Sequence, residues 1–107
     1  MTPVLLSDGQ DADHLSEGMC YLRQQIEWFT ATAADVAARG KKGGPTKVLP
    51  GSVGMRCVHC AHLPPERQAN GSSTFPRRIG LVHQAVRNWQ RYHLSKCPVM
   101  PEEVRTT

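Results

Sequence analysis

The sequence predicts a small α+β domain, a ββα finger with an additional N-terminal amphipathic helix, and three observations predict it. Cys57-Val58-His59-Cys60 and His93-Leu94-Ser95-Lys96-Cys97 set two pairs of metal-capable side chains at ligand spacing. Ahead of them Met19, Leu22, Ile26, Phe29, Ala33 and Val36 recur at alternating steps of three and four. With 107 residues, 39% hydrophobic and 6% aromatic, the chain has a core that is marginal without a staple. A bound zinc ion is the staple that the two half-sites offer.

Residues 1–12 are polar and Asp-rich, without periodicity, and are expected to be disordered. Over 13–39 the apolar stripe defines one face of an amphipathic helix. Asp13 or Ser16 can cap its first amides, and Arg39-Gly40 supplies a basic last turn and a left-handed stop. Residues 40–46, where glycines and Pro45 surround two lysines, read as a linker. The finger occupies 47–101. Lys47-Val48-Leu49 reads as a short strand, and Val53-Gly54-Met55-Arg56-Cys57 as a second that delivers the first ligand, with Gly54 marking close backbone packing. Pro64-Pro65 and Asn70-Gly71 make 63–73 a loop, and Thr74-Phe75-Pro76 is a brief extended piece. Phe75 is expected to plug the space between strand and helix beside the metal. A helix over 79–96 carries Val82, Val86, Trp89 and His93 on its inner face, Cys97 is next on that face, and 102–107 form a tail.

The expected ligands are therefore Cys57, Cys60, His93 and Cys97. His93 lies on an apolar stripe where an unpartnered ring would be costly, and Pro98 turns the chain out of helix directly after Cys97. Four such donors fill a tetrahedral ion and leave no position for substrate, which makes zinc a folding cofactor and the chain non-enzymatic. A redox role for Cys57 and Cys60 would need a βαβ setting, and none is visible. Covalent haem would need His directly after Cys60, where Ala61 stands. A disulfide would need an oxidising compartment, and the apolar start Pro3-Val4-Leu5-Leu6 is too short for a signal peptide. The expected location is thus an intracellular reducing compartment, nuclear if the source is eukaryotic. His14, His59, His62 and His83 remain open as substitutes for His93, and Cys20 as a buried thiol or a member of another ligand set.

Charge is divided along the chain. Residues 1–38 hold six acids and one base, whereas residues 39–107 hold twelve bases and three acids. Between Arg67 and Pro101 stand six Arg or Lys and no acid, the footprint of a surface that meets phosphate or an acidic protein. Arg77, Arg78, Arg87, Arg91 and Lys96 are the candidate nucleic-acid contacts. Gln84, Arg87, Asn88, Arg91 and Ser95 share the outward face of the second helix, and these residue types contact phosphates and base edges. No apolar run is long enough to span a membrane.

The order of strand, Cys-x-x-Cys turn, strand and a helix ending in His-x-x-x-Cys resembles the ββα zinc-finger plan. His93-Leu94 with Cys97 looks like the ending of BED-type fingers of Cys-Cys-His-Cys type, over about residues 53–97. Gly54 to Cys60, Phe75-Pro76 and His93 to Cys97 together also resemble uncharacterised zinc-finger-like proteins of diatoms and related algae, in which a helical segment like 15–39 precedes the finger. The BED resemblance implies DNA binding. The chain departs from that family in the 32 residues between Cys60 and His93 and in lacking an N-terminal aromatic pair. The expected function is a zinc-stabilised nucleic-acid-binding module, DNA first. The alternative is a protein-interaction or homodimerisation domain that pairs through the 13–39 helix. A nuclease built on His59, His62 and Asn88 lacks an organised carboxylate.

Overall fold

Val53-Gly54-Met55-Arg56-Cys57 forms a strand, β3, and the sheet assembles on both of its edges. The computed structural model describes residues 3–39, 48–64, 67–68 and 72–106. Within them the elements run β1 (Val4–Leu5), α1 (Asp11–His14), α2 (Glu17–Arg23), β2 (Ile26–Thr30), α3 (Ala33–Arg39), β3 (Val53–Cys57), β4 (Ser73–Thr74), α4 (Val82–Tyr92) and α5 (Glu102–Arg105). All strand pairings are antiparallel in the order β1-β2-β3-β4, with Ile26 opposite Cys57, Phe29 opposite Gly54 and Met55 opposite Thr74.

The continuous helix expected over 13–39 is not formed. Its segment folds as helix, strand and helix, because Ile26-Glu27-Trp28-Phe29-Thr30 is rich in β-branched and aromatic residues that suit a pleated surface. Ser16 caps α2 by accepting from the Met19 amide at 3.2 Å. Thr32 and Asp35 cap α3 reciprocally: the Thr32 amide donates to Asp35 Oδ2 at 2.8 Å and the Asp35 amide to Thr32 Oγ1 at 3.2 Å. The apolar stripe is nonetheless buried, for a different reason. Successive strand residues point to opposite faces, so Ile26 and Phe29 enter separate clusters on the two sides of the sheet.

One face, with Ile26, Met55 and Cys57, packs against Met19 and Leu22 of α2 and Val82, Val86 and Trp89 of α4. The other holds Phe29, Ala31 and Val48, with Val36 and Phe75 against them. Phe75 therefore does not plug the space between strand and helix. Its ring meets Phe29 at 5.5 Å between centroids, on the face away from Trp89. Arg56 spans the same side, stacked over Phe29 at 4.5 Å while its Nε donates to Glu27 Oε2 at 2.7 Å.

Other boundaries also differ from expectation. Residues 3–12 are structured in β1 and α1, with Leu6 buried, because β1 pairs with β2, an element that a 13–39 helix would not have supplied. Val48 and Leu49 form no strand. The second helix is a 3-10 turn (Ile79–Leu81) followed by α4, and it ends at Tyr92 instead of Lys96. The tail is α5, held by buried Val104. The 40–46 linker lies outside the described residues. Because Met19, Leu22, Ile26 and Phe29 are all buried within one chain, the homodimer through the 13–39 helix loses the surface it required.

Candidate metal centre

The two half-sites meet on the helix-covered face. Cys57 ends β3, and the turn that follows brings Cys60 back beneath it. The amides of His59 and Cys60 hydrogen-bond the Cys57 sulfur, and the Leu63 amide closes the turn on the Cys60 carbonyl at 3.0 Å. His93 caps the C-terminus of α4, where its amide still donates to the Trp89 carbonyl at 2.9 Å. One further tight turn, with the Cys97 amide on the His93 carbonyl at 3.0 Å, presents Cys97. The Val99 amide donates to the Cys97 sulfur as the His59 and Cys60 amides do to Cys57. Both knuckles thus aim backbone N–H dipoles at sulfur, an arrangement that favours thiolate over thiol.

The donor atoms of Cys57, Cys60, His93 and Cys97 lie within 4.8 Å of one another, and all four residues are buried. Cys60 Sγ and His93 Nε2 are 3.7 Å apart. With protein groups alone, the three sulfurs share charge unequally. A hydrogen bond from the Cys60 thiol pulls Cys57 down to about 4, while that bond and burial push Cys60 above the usual thiol range and burial pushes Cys97 up. Buried sulfurs that oppose one another's ionisation are suited to a cation that stabilises all three as thiolates. The arrangement can hold a metal ion and presents four protein donors to it.

The remaining histidines stand elsewhere. His59 lies inside the knuckle but its Nε2 meets Gln25 Oε1 at 2.6 Å, and His14, His62 and His83 are exposed. Cys20 is half-buried on α2, its thiol donating to the Leu15 carbonyl at 3.8 Å, and is not among the clustered donors. Of the basic residues, Arg77, Arg78, Arg87, Arg91 and Lys96 are all exposed. Arg87 and Arg91 lie on the outer face of α4 beside Gln84 and Asn88, whose side chains hydrogen-bond at 3.1 Å.

Two residues with roles at the site carry no ligand-like signal. Buried Gln25 ties the α2–β2 turn to the first knuckle through His59 and by accepting from the Val58 amide at its own carbonyl, 3.0 Å away. Arg105 Nη2 donates to the carbonyls of Cys97 and Met100 at 3.0 and 3.4 Å. A Gln at the edge of a helical stripe gives no warning of this. Pro101-Glu102-Glu103, a helix-start pattern, could have revealed α5. Comparison with family models, curated proteins and solved structures returns no match to this chain, so its reading rests on the residues themselves.

Proposed function

We propose that this chain is a non-enzymatic, zinc-stabilised module that binds nucleic acid, DNA in the first instance, through α4 and its flanks. The observation that carries the zinc reading is the buried Cys57, Cys60, His93 and Cys97 cluster. Around tetrahedral zinc, with bonds of about 2.3 Å to sulfur and 2.0–2.1 Å to nitrogen, neighbouring donors stand about 3.6–3.8 Å apart. The Cys60–His93 separation of 3.7 Å matches that edge. Three thiolates and an imidazole suit zinc over the hard cations, which take oxygen. Four protein donors make the site a structural one, as expected of a zinc finger of Cys-Cys-His-Cys type.

The nucleic-acid reading is supported by the acid-free run from Arg67 to Pro101 and by the exposure of its arginines. α4 buries Val82, Ala85, Val86 and Trp89 and leaves Gln84, Arg87, Asn88 and Arg91 outside. An eleven-residue helix with that outer face fits a duplex major groove in both width and chemistry. Arg77 and Arg78 precede it and Lys96 follows it, where they can meet flanking phosphates.

The test measures metal content and DNA binding on the same preparation. One zinc per chain is expected, and it should be lost in Cys97→Ala. Affinity for duplex DNA should fall with salt at a log–log slope of about −0.9 per phosphate neutralised, and Arg87→Ala with Arg91→Ala should flatten that slope by about 2 without loss of zinc. A zinc-loaded protein that binds neither DNA nor RNA at about 50 mM salt would overturn the nucleic-acid reading in favour of an acidic protein partner.

A further inference from the structure

We propose that Arg105 is a positioning residue of the metal centre, holding the Cys97 turn in its ligating shape and offsetting the charge of the three thiolates. This rests on the zinc reading above. Four-residue α5 is anchored by Val104, buried in the same core as Cys57, Cys60 and Cys97. From that anchor Arg105 Nη2 reaches the carbonyls of both Cys97 and Met100, which bracket the turn whose Val99 amide points at the Cys97 sulfur. One guanidinium nitrogen thereby pins both ends of the loop that aims the third sulfur.

The chemistry explains why an arginine stands there. Its Nε is buried and has no hydrogen-bond partner among the described residues, so part of the cation is desolvated without full compensation from neutral carbonyls. A dication with three thiolates and a neutral imidazole keeps one net negative charge. A guanidinium docked on the backbone of a ligand supplies the opposite charge at that ligand and lowers the cost of both buried groups. Lysine would keep the charge but, on a flexible stem without the rigid guanidinium plane, would not hold a donor at the same point between the two carbonyls.

The test compares Arg105→Gln, Arg105→Lys and, as a control remote from the centre, Ser16→Ala in the full chain, using cobalt(II) as a spectroscopic probe and zinc in competition with a chelator. Loss of a residue that orients a ligand typically weakens metal binding 10–100-fold, so Arg105→Gln should lose affinity by about that factor and shift the cobalt ligand-field bands. Arg105→Lys should recover part of the affinity but not the wild-type bands. Ser16→Ala, which removes the cap of α2 and touches neither knuckle, should lower thermal stability and leave the bands in place. Wild-type affinity and spectrum in Arg105→Gln, or in Arg105→Lys if the Gln variant does not fold at saturating cobalt, would overturn the role. So would a Ser16→Ala variant with the same spectral shift as Arg105→Gln, which would make the shift a general consequence of lost stability. A wild-type chain that binds no cobalt would overturn the centre itself, and this inference with it.

Discussion

A methyl group on Gly54 would meet two ring carbons of Phe75 at 2.5 Å and the Thr74 carbonyl oxygen at 2.9 Å. The ring can swing aside, but the carbonyl belongs to β4, which pairs with Met55 and Arg56 through the same short stretch. The missing side chain is therefore what allows Phe75 to lie over the strand against Phe29. Gly54→Ala is expected to destabilise the metal-loaded protein by about 1–3 kcal/mol, the usual range for overpacking. Denaturant unfolding should show a smaller penalty for the same change in a Phe75→Ala background. Equal penalties in both backgrounds would place the strain at the backbone alone.

At the scale of elements, the helices are short: α2 and α3 have seven residues each, too few to stand alone in water. Caps and tertiary burial hold them. Met19 and Leu22 bury the inner side of α2, and Ser16 satisfies one of its first amides. Ser16→Ala should cost about 1 kcal/mol of stability, measured as a lower denaturant midpoint at unchanged slope. Metal affinity should not change, because Ser16 touches neither knuckle. β2 is the element on which the arrangement turns. It pairs with β1 and β3, buries Ile26 on one face and Phe29 on the other, and its neighbour Gln25 is tied to the Cys57–Cys60 turn.

For the whole molecule, the ligands come from two stretches, 57–60 and 93–97, which the chain must close on each other. A metal that binds only the closed form stabilises it by mass action, so chelation should unfold the domain cooperatively. The pH dependence has a definite sign. The metal-loaded fold keeps three thiolates and a neutral imidazole, whereas the unfolded chain near neutral pH carries thiols of ordinary pKa about 8.5 and an imidazole of about 6.5, so folding with metal releases protons. Stability of the loaded protein should rise with pH and fall as acid protonates the donors. Thermal unfolding at fixed free zinc should show the melting temperature dropping from pH 8 towards pH 5, and a flat or inverted profile would argue against thiolate ligation.

The sequence by itself determined the four clustered donors, the strand that delivers Cys57, the buried side of α4 and the close packing at Gly54. Each is a local matter, because ligand spacing, alternation and helical period are properties of neighbouring residues. What it left ambiguous was Ile26 to Thr30. Apolar residues three apart mark one face of a helix, yet the same pair marks both faces of a strand buried on both sides, and nothing local separates the two. The pairing of β2 with β1 and β3 decided it, and those contacts join residues more than twenty positions apart. The docking of Arg105 on Cys97 and of Gln25 on His59 was likewise decided in three dimensions. Both act through hydrogen bonds to groups that only the closed fold brings within reach.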